Sequence, residues 1–113
     1  MTKSLRPWGH YKVLETEEKF QVKTLVVEPG KRLSLQSHVH RSEHWFIVSG
    51  SGTAEIDGAQ YSLGPGDSID VKAGFKHRIS CTSQEPLVFI EVQTGSSFDE
   101  EDIVRYEDDF GRG

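Results

Sequence analysis

Four side chains in two short segments have the types and spacing of metal ligands. Gln36 and His38 lie two residues apart, so on a β-strand they point to the same face. A turn through residues 39–42 then returns Glu43 on the neighbouring strand, and a second segment supplies His77. Imidazole nitrogen with carboxylate and amide oxygen suits zinc, manganese, cobalt, nickel or iron. The spacing therefore predicts one divalent metal site per chain.

A rival ligand set stays open because His40 has the same strand parity as Gln36 and His38. In that set His40 replaces Gln36, and Gln36 is an ordinary polar strand residue that bonds to backbone. His44 points away from the interior if Glu43 points into it, so we do not expect His44 to bind the metal.

Glycine and proline divide the chain into eight short strand-like runs. The runs are VKTLVVE, RLSLQS, EHWFIVS, TAEID, QYSL, DSIDV, HRISCT and PLVFIEVQ. Asp57-Gly58, between TAEI and QYSL, is a signal for a tight hairpin. Only the C-terminal segment favours a helix, since Ser97-x-x-Glu100 is the pattern of a capping box. We therefore predict one all-β domain over residues 1–113, a jelly-roll barrel with a short helical C-terminal turn.

Charge and composition limit the partners of the chain. The net charge is −5, and residues 96–113 hold seven acidic residues against two basic ones, which predicts a solvated acidic segment. No basic stripe is present, so we expect no nucleic-acid binding, and no apolar run approaches membrane-spanning length. Cys81 is the one cysteine, and the N-terminus lacks a signal-peptide core. We expect a cytoplasmic location.

The runs EHWFIV and PLVFIEV carry apolar residues on both strand faces. A sheet with one face in water does not tolerate that pattern well. The outward apolar residues therefore need a cover, and a homodimer is the simplest one that the sequence predicts.

The two ligand segments resemble the two motifs of the cupin superfamily. Gly30-x5-Gln36-x-His38-x4-Glu43-x6-Gly50 resembles the first motif, and Gly66-x7-Gly74-x2-His77 resembles the second. The chain departs from the pattern in three places: Gln36 stands for a histidine, Lys72 for a proline and Cys81 for an asparagine. The resemblance favours Gln36 over His40, because a motif that begins at His38 has one gap too long and the other too short. It implies a site of Gln36, His38, Glu43 and His77, with zinc as the favoured metal.

Four runs resemble the type II phosphomannose isomerase domain, which usually forms the C-terminal part of bifunctional mannose-1-phosphate guanylyltransferase/mannose-6-phosphate isomerase. The runs are RPWGHYKVL, PGKRLSLQSHVHRSEHW, IEVQTG and EEDIVRYEDDFGR, in order along nearly the whole chain. The resemblance implies interconversion of mannose 6-phosphate and fructose 6-phosphate, in which a metal polarises the carbonyl and stabilises an enediolate.

That reaction also needs a base beside the carbons and a cation for the phosphate. Glu91 and Lys72 are the candidate bases. Arg41, Arg105 and Arg112 are candidates for the phosphate, because a guanidinium matches phosphate geometry. We rank Arg105 first because it lies in the DIVR run that resembles the family.

Two other functions stay open. Two histidines and one carboxylate are the ligand set of non-haem iron oxygenases. The chain could also be a non-catalytic module that binds a sugar phosphate. Guanylyl transfer by this chain alone is excluded, because it has no glycine-rich nucleotide loop and no room for a doubly wound domain.

Overall fold

Two antiparallel β-sheets face each other in the computed structural model, which describes residues 2–110. The six-stranded sheet comprises, in spatial order, β1 (Ser4–Arg6), β2 (Gly9–Thr16), β3 (Phe20–Val27), β10 (Leu87–Gly95), β5 (Arg41–Ser49) and β8 (Ser68–Val71). The five-stranded sheet comprises β11 (Ile103–Glu107), β4 (Leu35–His38), β9 (His77–Cys81), β6 (Gly52–Ile56) and β7 (Ala59–Leu63). The predicted all-β jelly roll is confirmed.

Strict alternation along the strands determines which side chains enter the space between the sheets. In β5 the odd-numbered residues 41–47 are buried, whereas His44, Phe46 and Val48 are exposed. This is the parity that the sequence predicts. In β3 the odd-numbered residues 21–27 are buried in the same way.

The interior has an apolar end and a polar end. Trp45, Ile47, Phe89 and Ile79 pack together at the apolar end, and the rings of Trp45 and Phe89 lie 5.6 Å apart. The inward positions that continue β3, β5 and β10 beyond this core carry polar or charged side chains. These buried polar residues are Gln21, Lys23, Arg41, Glu43, Glu91 and Gln93. The apolar end of the barrel is therefore its hydrophobic core, and the polar end can form a functional site.

The Asp57-Gly58 hairpin forms as predicted between β6 and β7. Both residues have positive φ, 47° and 86°, as the tight two-residue hairpin turn requires. Asp57 Oδ1 also accepts a hydrogen bond from Lys76 N at 2.8 Å. The turn is thereby tied to the segment that leads into β9.

Strands β1, β2 and β11 lie outside the eight runs that the sequence predicts. The predicted helical turn is present as a 3-10 helix at Glu100–Asp102, but its N-cap is Asp99 and not Ser97. The Asp99 carboxylate accepts from Glu101 N at 2.9 Å. Strand β11 follows directly. Its backbone pairs with that of β4, so this part of the acidic segment belongs to the barrel wall.

The outer face of the six-stranded sheet carries an apolar patch across three adjacent strands. The patch consists of Val22 and Val26 on β3, Val88, Ile90 and Val92 on β10, and Phe46 and Val48 on β5. Phe46 and Val48 are 45% and 48% exposed.

Across residues 2–110, no helix has the length and apolar character needed to cross a bilayer.

We predict that this patch joins two copies of the chain. Packing the patch of one copy against that of the other removes apolar surface of both copies from water, which is favourable. Light scattering should give twice the 12.7 kDa mass of one chain at micromolar concentration. Phe46→Glu should give a monomer, because it places a charge in the patch.

The matched control is Leu5→Glu, which changes a more exposed apolar residue on β1 outside the patch and should leave the dimer intact. A monodisperse monomer for the unaltered chain contradicts the prediction.

Candidate metal centre

His38, Glu43 and His77 meet at the polar end of the barrel, and all three are buried. His38 ends β4, Glu43 lies near the start of β5 and His77 begins β9, so both sheets contribute to the site. His38 Nε2 lies 3.1 Å from Glu43 Oε2, and His77 Nε2 lies 3.6 Å from Glu43 Oε1. One ligand atom from each residue falls within 4.8 Å of the others.

The hydrogen bonds of His77 show that the triad suits a cation. His77 Nδ1 lies 2.9 Å from Phe75 O, which can only accept, so Nδ1 carries the proton. In the neutral ring, Nε2 is then a lone-pair donor that faces a carboxylate oxygen at 3.6 Å, with no proton between them. Two facing electron-pair donors repel each other unless a cation lies between them. The residues therefore fit a divalent metal.

Gln36 and His40 differ in where their side chains lie. Gln36 lines the cavity beside the triad, and its backbone pairs with that of His77. Its Nε2 donates to Ser34 Oγ at 2.9 Å. His40 is exposed in the turn after β4, where its backbone N–H donates to Asp102. The fold therefore brings Gln36 to the triad. It does not bring His40 there, because β4 ends at His38 and the alternation of side chains does not continue to residue 40.

Two buried carboxyl groups and one indole form the base of the site. Trp45 Nε1 donates to Glu43 Oε1 at 3.1 Å and to Glu91 Oε1 at 3.0 Å. The second oxygen of Glu91 accepts from Gln93 Nε2 at 2.8 Å. One indole N–H thus holds both carboxyl groups in place.

The two carboxyl groups have opposite pKa shifts. Burial raises the pKa of the Glu91 carboxyl well above its usual value, and the charge of Glu43 raises it further. Burial also acts to raise the pKa of Glu43, but the hydrogen bond with His38 and the charge of His77 outweigh it, so this pKa is lowered. Burial lowers the pKa of His77 despite the nearby Glu43 charge. Glu43 is therefore the ionised member of the pair, and Glu91 is the group that can hold a proton.

The two candidate bases have different positions. Glu91 lines the cavity and is buried beside Glu43. Lys72 is exposed at the end of β8 and is not among the described residues that line the cavity. The fold therefore brings Glu91, but not Lys72, to the triad.

Arg41 and Arg105 both line a cavity of about 190 Å³ that opens from the triad. Arg41 Nε lies 3.5 Å from Glu43 Oε2, and Arg41 Nη1 donates to Asp99 O at 3.3 Å. Arg105 pairs with Gln36 through the β11–β4 register, and its buried Nε has no hydrogen-bond partner among residues 2–110. Both arginines thus line the cavity, Arg41 next to the proposed metal ligands and Arg105 on β11. Arg112 lies outside the described residues.

Sequence reasoning missed six polar residues at the cavity, namely Arg6, Tyr11, Lys23, Arg78, Gln93 and Glu100. Lys23 had a detectable signal, because it alternates with Leu25 and Val27 on the inward face of β3. A lysine on a core-facing parity is rarely fully buried without a partner. Arg6 and Tyr11 had no such signal, since β1 and β2 were not predicted.

We predict that Trp45→Phe destabilises the chain more than Trp8→Phe does. Both indoles are buried, but only Trp45 donates a hydrogen bond among the described contacts, and its loss leaves two buried carboxyl groups without that donor. The extra loss should be about 1–3 kcal/mol of unfolding free energy. Urea unfolding of both variants with a chelator present measures it, and equal losses contradict the role assigned to Trp45.

Solved structures share this fold. The capsular polysaccharide assembling protein CapF from Staphylococcus aureus superposes with a TM-score of 0.84 at 20% identity, over 94% of this chain and 32% of that chain. The Cnp3 cupin domain of Schizosaccharomyces pombe gives a TM-score of 0.74 at 14% identity, over 76% of this chain and 64% of that chain. At these identities the likeness shows the fold alone, which is the cupin jelly roll.

Sequence comparison identifies the family. Mannose-1-phosphate guanylyltransferase ManC of Salmonella typhimurium is 43% identical over 107 residues, which make up 95% of this chain and 22% of that protein. The chain spans less than a quarter of the length of such curated relatives. Residues 1–108 match the family described as "Mannose-6-phosphate isomerase C-terminal". With this match and the cupin fold together, the chain belongs to the mannose-6-phosphate isomerase C-terminal family.

Proposed function

We propose that the chain is a metal-dependent aldose–ketose isomerase that interconverts mannose 6-phosphate and fructose 6-phosphate. The observation that carries this proposal is the buried triad of His38, Glu43 and His77 with the Glu91 carboxyl beside it. A metal site next to a carboxyl that can hold a proton is what an enediol isomerisation requires. The family match supplies the substrate class.

His38, Glu43 and His77 would hold the metal, with Gln36 as the fourth ligand. When bound, a divalent metal polarises the substrate carbonyl and stabilises the enediolate. The histidines are neutral ligands and Glu43 carries one negative charge, so the site keeps a net positive charge for that purpose. Zinc is the favoured ion, and manganese, cobalt, nickel and iron suit the same donors.

Glu91 is the proposed acid and base. From aldose to ketose, a proton leaves C2 and a proton is added to C1 of the enediol, while the proton of the O2 hydroxyl is transferred to O1, so one group can serve both carbons. Burial and the Glu43 charge raise the pKa of Glu91, which brings its proton exchange closer to neutral pH. Trp45 and Gln93 orient its two oxygens. Lys72 is the weaker candidate because it lies in solvent.

The cations of the cavity favour an anionic substrate. Arg41 and Arg105 line it, and no side-chain hydrogen bond or ion pair within residues 2–110 engages the Arg105 guanidinium, which can donate to a phosphate oxygen. Arg78 also lines the cavity but is occupied by Glu107, with Nη1 at 3.1 Å from the carboxylate. Arg105 is therefore the first choice for a phosphate contact. The proposal includes the predicted homodimer and the cytoplasmic location.

An iron-dependent oxygenase is the second candidate, and the composition of the triad favours it, because two histidines and one carboxylate also bind catalytic iron. A sugar-phosphate-binding module without activity is the third candidate. The name guanylyltransferase belongs to whole relatives of which this chain spans 22%, and we do not transfer it.

We predict that His38→Ala, Glu43→Ala and His77→Ala each lose most of the bound metal, because each removes one donor of the triad. Gln36→Ala should keep more metal but lose activity, since a neutral amide oxygen is the weakest of the four ligands. Elemental analysis of dialysed protein measures the metal content.

The matched control is His44→Ala, which removes an exposed histidine that pairs with Asp70 and should keep all the metal. The ligand set is wrong if His40→Ala strips the metal while Gln36→Ala changes neither metal content nor activity.

We also predict that the metal-loaded chain interconverts the two sugar phosphates. It should lose this activity when a chelator is added and regain it when metal is restored. Unphosphorylated mannose should be a poor substrate. Arg105→Ala should raise KM by about tenfold or more, because a charge-assisted hydrogen bond contributes about 1.5–3 kcal/mol. A coupled spectrophotometric assay provides both values.

Oxygen consumption with bound iron, and no isomerisation with any of the five metals, would favour the oxygenase. Binding of the sugar phosphate without turnover would favour the non-catalytic module.

A further inference from the structure

A carboxylate from the C-terminal segment lies among cations at the rim of the cavity. Tyr11 OH donates to Glu100 Oε1 at 3.2 Å, and Lys23 Nζ lies 4.0 Å from the same oxygen. Arg6 Nη2 donates to Tyr11 OH at 3.1 Å, and its guanidinium lies 4.9 Å from the centre of the Tyr11 ring. Lys23 of β3 and the Tyr11 hydroxyl of β2 thus contact one anionic atom, and Arg6 of β1 contacts that hydroxyl.

Lys23 is buried, but it has few contacts that compensate its charge. The residue is only 6% exposed, and its ammonium lies 4.5 Å from the centre of the Tyr11 ring. Within residues 2–110 it forms one ion pair, the 4.0 Å contact to Glu100, whose side chain is half exposed. Glu91 is the other nearby carboxyl, but its two oxygens already accept from Trp45 and Gln93. A buried ammonium that lacks a close anion needs further acceptor oxygens.

The strand register relates Lys23 to the candidate metal centre. Its backbone pairs with Glu91 on β10, and Glu91 pairs in turn with Trp45 on β5. Neighbouring strands are about 4.8 Å apart, so Lys23 and Trp45 are separated by roughly 10 Å across the cavity floor. In a hexose 6-phosphate the reacting carbons and the phosphate are at opposite ends of the molecule. Lys23 on β3 and Glu43 on β5 line one cavity, with β10 between their strands.

We propose that Lys23, Tyr11 and Arg6 form the subsite for the phosphate group, and that Glu100 occupies this subsite until the ligand displaces it. The proposal rests on the proposed isomerase function for the identity of the ligand, a phosphate monoester. Lys23 supplies the buried charge, and Tyr11 supplies a hydroxyl donor whose position Arg6 holds. Arg105 approaches the same cavity from the other sheet, so it complements this cluster.

Glu100 suits the role of a displaceable occupant. It begins the three-residue 3-10 helix between Asp99 and β11, and no residue of that helix is buried. Its carboxylate makes the same kinds of contact that a phosphate oxygen would make, but with one charge fewer. A dianionic phosphate near neutral pH therefore competes favourably for Lys23 and Tyr11.

Calorimetric titration of the metal-loaded chain with fructose 6-phosphate, inorganic phosphate and fructose tests the subsite. The unaltered chain should bind the two phosphates and bind fructose much more weakly. Lys23→Met, which keeps an unbranched side chain but removes the ammonium group, should weaken fructose 6-phosphate binding about tenfold or more. Glu100→Gln should strengthen it about two- to fivefold, the range of an exposed ion pair. Opposite shifts from the two variants are the expected signature.

Lys19→Met is the matched control, because Lys19 is exposed before β3 and should leave binding unchanged. Lys23→Arg keeps the charge and should bind better than Lys23→Met, which separates loss of charge from loss of fold. The subsite is wrong if Lys23→Met binds like the unaltered chain, or if fructose binds as well as fructose 6-phosphate. If the phosphates bind as expected but no isomerisation occurs, the subsite stands and the isomerase proposal fails.

Discussion

The buried carboxylate of Glu43 is the interaction on which the rest of the site depends. A charge removed from water is tolerated only where counter-charges and donors surround it. Trp45 donates to one of its oxygens and Arg41 lies 3.5 Å from the other, and a cation held with His38 and His77 would supply the remaining counter-charge. These partners come from β4, β5 and β9, so the carboxylate couples the two sheets at the polar end of the barrel.

The same carboxylate determines the chemistry of its neighbour. Glu91 lies on β10, close enough to share the Trp45 indole, and two buried carboxyl groups at that distance do not both ionise readily. The pKa of Glu91 is raised and that of Glu43 is lowered, so the pair divides into a proton holder and a metal ligand. A single hydrogen-bond donor thus orients both the proposed base and the proposed metal ligand.

The C-terminal segment completes the cavity that these groups line. Strand β11 pairs with β4 opposite Gln36 and places Arg105 in the wall, and the 3-10 helix before it brings Glu100 to the rim. Asp102 accepts from the backbone N–H groups of Val39 and His40, which holds the turn between β4 and β5. The acidic segment therefore supports the turn between His38 and Glu43 and closes one side of the cavity.

The amino-acid sequence by itself determined the strand parity, the Asp57-Gly58 hairpin and the candidate ligands, because these depend on spacing of two residues and on local turn chemistry. Gln36, Glu43 and His77 line the cavity, and His38 meets Glu43 and His77 beside it. Only the tertiary structure shows that Gln36 lies beside the triad while His40 is exposed, because this depends on β4 ending at His38. It also decided that β11 is a strand and that Tyr11 and Lys23 meet Glu100, 89 residues beyond Tyr11. Such contacts follow from sheet pairing between distant segments, and no local pattern of residues encodes them.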